Sequence, residues 1–118
     1  MGYMLLIMEP RGQRRERTEA EGRELYARMV RFGDALKSRG LLRATESLQA
    51  DDHATRVQVR DGRPTLLDGP YAEAKEMVGG FYLLTCETRE EALAIARECP
   101  AAEWATVEVR ALAPCYET

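Results

Sequence analysis

The chain has 118 residues, of which 45% are hydrophobic and 31% charged, and its net charge is -3. This size and balance indicate one globular domain over residues 1–118 and exclude intrinsic disorder. The acidic balance argues against nucleic acid or an anionic membrane as a partner. The apolar run Tyr3–Met8 is too short for a membrane span or a signal peptide.

Three cysteines and one histidine are too few for a disulfide framework or a structural zinc site. We therefore predict a cytoplasmic protein with no metal and no cofactor.

The first half of the chain has the pattern of a strand followed by a helix. Tyr3–Met8 is apolar at every position and stops before Pro10, as in a strand buried on both faces. Thr18 and Glu21 form a capping box that predicts the start of a helix, and Gly40 marks its end. The apolar stripe of this helix consists of Leu25, Met29, Phe32 and Leu36.

A polar hairpin is predicted next. Polar and apolar residues alternate over 42–49 and 55–60, which is typical of strands with one solvated face. Residues 63–67 are the expected return strand, which Pro64 keeps short or at an edge. Asp61 and Gly62 supply the positive φ angles that a tight type I′ turn needs. The hairpin is therefore expected to extend into solvent.

The last third repeats the strand and helix pattern. Phe81–Cys86 is apolar on both faces and predicts a second central strand. Thr88 and Glu91 form another capping box, which opens a helix that ends at Pro100. Trp104–Leu112 alternates and predicts a closing strand.

This order predicts an α+β fold: a ferredoxin-like antiparallel sheet with two helices on one face and an extra β-hairpin. Two helices cover only one face of a sheet, yet Tyr3–Met8 and Phe81–Cys86 are apolar on both. A second copy packed sheet against sheet would cover the other face, so we predict a homodimer.

Candidate catalytic residues lie in a charged segment beside glycines. Asp68, Glu73, Lys75 and Glu76 could supply an acid, a base and a cation if burial moved their pKa values toward neutrality. The alternative is a charged surface loop in which the glycines serve turn geometry and the carboxylates pair with Lys75.

Asp68-Gly69-Pro70-Tyr71 resembles the signature of the DGPF branch of the YCII-related family, with Tyr71 in place of phenylalanine. The similarity covers nearly the whole chain, in the stretches Tyr3–Ile7, Glu46–Gln49, Thr55–Gly62, Gly80–Leu83, Glu91–Leu93 and Val107–Arg110. The resemblance implies a dimeric α+β barrel of bacterial, cytoplasmic origin. Members often occur near extracytoplasmic-function sigma factors, and the branch has no established reaction.

Other members of the wider family carry a histidine and an aspartate as a catalytic pair, and a few relatives are isomerases or dehydrochlorinases of small ring compounds. The one histidine here, His53, falls in a polar loop, so we do not carry that mechanism over.

The predicted ligand-binding residues are Tyr71, Tyr82, Glu108 and Arg110. Glu108 and Arg110 share one face of the last strand, and Tyr82 is expected on the same side of the sheet. An arginine, a carboxylate and a phenol would suit a small anionic or carbonyl-bearing ligand. The alternative is an ion pair at a dimer interface or a solvated edge.

The sequence thus leads to a small homodimer that binds a metabolite in a cavity beside the 68–82 loop, with acid/base chemistry of the isomerase or lyase type. Whether it is an enzyme stays open. The alternative is a non-catalytic interaction or regulatory module associated with a sigma factor. The arginine-rich run Arg11–Arg17 is interpreted as a solvated loop.

Overall fold

A computed structural model describes residues 2–118. It contains six strands and two α-helices, with 3-10 turns at 13–16, 51–53 and 100–103. The elements in chain order are β1 Tyr3–Pro10, α1 Glu19–Ser38, β2 Leu42–Ser47, β3 Thr55–Arg60, β4 Arg63–Asp68, β5 Glu76–Leu84, α2 Arg89–Glu98 and β6 Thr106–Ala111.

Four strands form an antiparallel sheet in the order β2-β5-β1-β6. Leu5 of β1 lies opposite Tyr82 of β5 and Val109 of β6, so these three side chains share the face that meets the helices. Both helices supply the opposing core residues, Phe32, Leu36, Ala92, Ile95 and Ala96. The α+β fold and the Thr18–Glu21 capping box are confirmed. At the start of α2 the Thr88 side chain accepts from the Glu91 backbone N–H, but the reciprocal bond of a capping box is not formed.

The second face of the sheet is open. One cross-strand row of this face consists of Leu6, Phe81 and Glu108. Each of these residues is next in sequence to one of the residues that face the helices, namely Leu5, Tyr82 and Val109. Its central strands present partly exposed apolar side chains, namely Met4, Leu6, Met8, Phe81 and Leu83. The molecule is only 19 Å thick along its shortest axis, which is the depth of one sheet and one helix layer.

Strands β3 and β4 form a separate two-stranded sheet, in which every residue is exposed. Asp61 and Gly62 have φ angles of 52° and 73°, as the hairpin turn requires. The predicted solvated hairpin is therefore confirmed.

Strand β5 differs from its predicted bounds. It begins at Glu76 rather than Phe81 and ends at Leu84 rather than Cys86. The charged part of the segment pairs with the end of β1, so that Glu76 lies opposite Pro10, and the register shifts beside Gly79. An irregularity of this kind hides the strand from a search for strict alternation.

Neither helix of residues 2–118 is both long enough and apolar enough to cross a membrane.

Candidate functional site

A cleft of about 1110 Å³ lies between α1 and the β2 side of the sheet. Its floor comes from the ends of β1 and β5, and its walls from α1, β2 and the residues around Trp104. We call it the α1 cleft. Its lining contains both polar and apolar groups, including Glu9, Arg14, Arg17, Tyr26, Met29 and Tyr82.

A carboxylate and a guanidinium form a two-pronged pair at one end of the cleft. Arg14 Nε and Nη2 donate to the two oxygens of Glu9, each over 2.8 Å. Arg14 Nη1 also donates to the carbonyl of Leu48 and Nη2 to that of Gly79. Glu9 is a buried charged residue, only 7% exposed, so the arginine supplies the neutralising charge that a buried carboxylate needs. The hydrogen bonds from Arg14 to the Glu9 carboxylate and the charge of that carboxylate raise the pKa of Arg14, which keeps it a permanent cation.

The two glycines of β5 make this arrangement sterically possible. A Cβ atom on Gly79 would overlap the Glu9 carboxylate. One on Gly80 would approach the carbonyl oxygen of Glu46 to 2.8 Å, which is closer than real Cβ atoms come. The glycine pair thus lets a side chain and a neighbouring strand lie directly against the β5 backbone.

Tyr82 lies deeper in the same cleft. Its ring contacts Phe32 edge to face at a centroid distance of 5.2 Å, and its hydroxyl donates to the carbonyl of Met29 over 2.7 Å. Burial raises the pKa of Tyr82 far above its usual range, so the phenol stays neutral. It therefore acts as a fixed wall and donor rather than as a base.

The side chains near the start of α1 are more available to a ligand than Glu9, Arg14 and Tyr82. The half-buried Arg17 donates one hydrogen bond, from Nη2 to Gln13 Oε1 over 2.9 Å, and so retains further N–H donors. Tyr26 lines the cleft with its side chain 59% exposed. Trp104 lines it too, with the guanidinium of Arg28 5.3 Å from its ring centre.

The four predicted catalytic residues do not line this cleft. Asp68, Glu73, Lys75 and Glu76 are all exposed. Asp68 accepts a hydrogen bond from Thr55 Oγ1 over 2.8 Å, which ties the two strands of the hairpin at its base. The segment follows the outside of the fold between β4 and β5.

Tyr71, a predicted ligand contact, is buried at the base of the hairpin. Its hydroxyl donates to the Leu67 carbonyl over 3.1 Å, and the Arg56 guanidinium lies 3.6 Å from its ring centre. Arg11 donates to the Tyr71 carbonyl and pairs with Asp51. In this chain the ring and its neighbours fasten the hairpin to the body.

Glu108 and Arg110 lie together on the open face of the sheet, with a 3.8 Å ion pair between two exposed side chains. Tyr82 lies on the opposite face, because it pairs with Leu5 and belongs to the core. The shared side expected for these three residues is therefore wrong. Of the eight predicted site residues, Tyr82 alone lines the α1 cleft.

Sequence reasoning missed Glu9, Arg14 and Arg17. Glu9 lies two residues after Ile7 and four after Leu5, so the alternation of β1 places its carboxylate on the core face. Arg14, its charge partner, follows five residues later. That alternation was the available signal. Interpreting the arginine-rich run as solvated concealed it, since Arg11 and Arg14 are both partly buried and hydrogen bonded.

The protein is therefore a small α+β protein in which helices cover one face of the sheet and the other face is open. The sequence profile of the YCII-related domain matches residues 1–115. An uncharacterised protein of Rhizobium meliloti (strain 1021) is 35% identical over 101 residues, which cover 84% of this chain and 78% of that protein. The chain belongs to the YCII-related family.

Proposed function

We propose that this protein binds a small amphipathic organic anion in the α1 cleft. The observation that carries the proposal is the placement of Arg17, a guanidinium with donors to spare, in a cleft that also has an apolar wall. Met29, Leu25 and the ring of Tyr26 offer that wall for a ring or short chain. A carboxylate or an enolised carbonyl on the same ligand would accept from Arg17.

Binding, rather than proton transfer, is what the polar groups of the cleft favour. Both oxygens of Glu9 accept from Arg14, and the Tyr82 hydroxyl donates to a backbone carbonyl. None of these three groups is free to exchange a proton without losing a partner. They hold the cleft in shape and give it a fixed electrostatic pattern.

An isomerase- or lyase-like reaction remains a separate proposal for the charged 68–82 loop. Asp68, Glu73, Lys75 and Glu76 are all exposed in the single chain. A second subunit would have to enclose the loop before these residues could act as acid and base. The same loop carries the motif on which we propose membership of the DGPF branch.

The experiment is a thermal-shift screen with small carboxylates, phenols, lactones and phosphorylated metabolites. A ligand at a hundredfold its Kd stabilises the folded state by about 2.7 kcal/mol, or roughly 10 °C in Tm for a chain of this size. We expect Arg17→Gln to remove the shift. Arg97→Gln is the matched control, because Arg97 is an exposed arginine of α2 outside the cleft.

Two further variants locate the site independently. Lys75→Ala tests the charged loop and Arg110→Ala tests the open sheet face. Loss of the shift in either one, with Arg17→Gln unaffected, would move the site away from the α1 cleft. No shift with any compound class would contradict small-molecule binding.

We also propose that the protein is a homodimer whose open sheet faces pack together. The apolar middle of that face, including Leu6 and Phe81, supports this because exposed apolar patches of this kind are rare on monomers. Leu6→Glu should yield a monomer in sedimentation equilibrium. Ala94→Glu, which places the same charge on the exposed side of α2, should remain a dimer.

The alternative function, a regulatory module bound to a sigma factor, rests on the family resemblance. It predicts a stoichiometric protein partner in purifications from native lysate. Repeated purifications without one would count against it.

A further inference from the structure

The β3–β4 hairpin is an arm that extends beside the body of the protein. The radius of gyration is 16.1 Å, whereas a compact chain of this length has about 13.5 Å. Neither strand packs substantially on the other strands or on the helices. Isolated two-stranded hairpins are marginally stable in water, so this arm lacks a surface that would normally hold it.

The two faces of the arm differ in chemistry. Cross-strand pairing puts Val57 opposite Leu66 and Val59 opposite Pro64, which makes one face wholly apolar along its centre. The other face carries Arg56, Gln58, Arg60 and their partners across the ladder. On the apolar face, Val57, Val59 and Leu66 are 62%, 57% and 69% exposed, so nothing in the described chain covers them.

The arm is also positively charged relative to the body. Residues 55–68 hold three arginines and two aspartates, for a net charge of +1, so the remainder of the chain carries -4. Within residues 2–118, none of these arginines forms an ion pair, and Arg60 lies directly opposite Arg63. All three arginines lie on the face opposite Val57 and Leu66, so they lie away from the apolar surface. Their positive charge favours approach of the hairpin to the acidic body of another copy over approach to another basic hairpin.

The size of the open sheet face also favours a second copy of this chain as the partner of the hairpin. Four strands of about six residues span a projected area of about 400 Å², which is a small footprint for an interface that buries about 800 Å² of accessible surface on each partner. The hairpin adds about 200 Å² of flat surface by the same measure. A dimer that used the sheet alone would be small, and the hairpin offers further exposed apolar surface at Val57, Val59 and Leu66.

We propose that the apolar face of the hairpin, centred on Val57, Val59 and Leu66, packs on the body of a second copy of this chain and clasps the dimer. The inference rests on the homodimer of the proposed function and goes beyond it by assigning the hairpin a role. Tyr71 and Arg56 then hold the base of the hairpin on its own subunit.

Neighbouring leucines of β4 provide a matched test. Leu66 and Leu67 are 69% and 61% exposed, but they lie on opposite faces of the hairpin. Leu66→Asp should raise the dimer Kd at least about tenfold, because it places a charge in the proposed contact. Leu67→Asp introduces the same charge in the same strand and should leave the Kd within about twofold. Sedimentation equilibrium measures both.

Hydrogen exchange on the unmodified protein covers the case in which Leu66→Asp disrupts the hairpin itself. Amides of residues 55–68 should exchange more slowly at concentrations above the dimer Kd than below it. Equal Kd values for the two variants, with no concentration-dependent protection, would overturn the clasp and leave the sheet-face dimer standing. A wild-type protein that stays monomeric at about 100 µM would overturn both the dimer and the clasp. Protection of the hairpin only by a different protein would overturn the choice of a second copy.

Discussion

The carboxylate of Glu9 lies directly against the backbone of Gly79, in space that a Cβ atom at position 79 would fill. Arg14 holds the carboxylate there with two 2.8 Å hydrogen bonds. The end of β1, the bulged part of β5 and the turn before α1 are thereby joined at one point. All three residues line the α1 cleft.

We expect Gly79→Ala to lower the free energy of unfolding by about 2–3 kcal/mol, since the added methyl group displaces a carboxylate that Arg14 pins in place. Urea denaturation measures the effect. Gly22→Ala is the control, because a Cβ there meets nothing within 4 Å and α1 gains helix propensity. Gly22→Ala should add about 0.5–1 kcal/mol. Equal stability of the Gly79 variant and the wild type would contradict the close approach.

The Glu9–Arg14 pair should show strong energetic coupling. Arg14→Met leaves a buried carboxylate without its partner and should cost about 3 kcal/mol, while the double variant with Glu9→Gln should cost less than the sum of the single changes. A double-mutant cycle in urea measures the difference. The exposed pair of Arg28 and Glu103 has a contact of 2.6 Å but should show much weaker coupling, because solvent screens it. Additive effects at Glu9 and Arg14 would contradict the expected coupling.

Tyr71 should act on the hairpin rather than on ligand binding. Tyr71→Phe removes the bond to the Leu67 carbonyl and should cost about 1 kcal/mol, with faster hydrogen exchange confined to residues 55–68. Ligand-induced thermal shifts should persist in this variant. Loss of those shifts with unchanged exchange in the hairpin would restore Tyr71 as a ligand contact.

Cys99 should make the protein less stable in alkali. Burial raises the pKa of the Cys99 thiol to about 11, above that of a thiol in the unfolded chain. The neutral thiol therefore favours the folded state below pH 9, and this advantage disappears as the pH rises to 11, a loss of about 2–3 kcal/mol.

Urea titrations at pH 8, 9, 10 and 11 measure the alkaline loss. Cys99→Ala should reduce the loss between pH 8 and 10, below the range in which an unfolded tyrosine ionises, whereas Cys115→Ala should leave it unchanged because Cys115 is exposed. The same slope in both variants would rule out Cys99 as its source.

Local signals predicted most of the fold. The Thr18–Glu21 capping box, the apolar stripe of α1 and the Asp61-Gly62 turn depend on neighbours within a few residues, so the sequence reveals them directly. The start of β5 was missed because its pairing with β1 contains a bulge at the glycine pair. A break in alternation has no local signature other than the glycines themselves.

The site depended on contacts between distant residues. Composition, capping and periodicity by themselves determined the α+β class, the element order, the solvated hairpin and an excess of apolar strand surface. Only the tertiary structure decided that Tyr82 enters the core while Glu108 and Arg110 stay on the open face, and that Glu9 meets Arg14 and Gly79. The physical reason is that strand register and the choice of which sheet face the helices cover are set by the packing of the whole chain, and one residue of register moves a side chain to the opposite face.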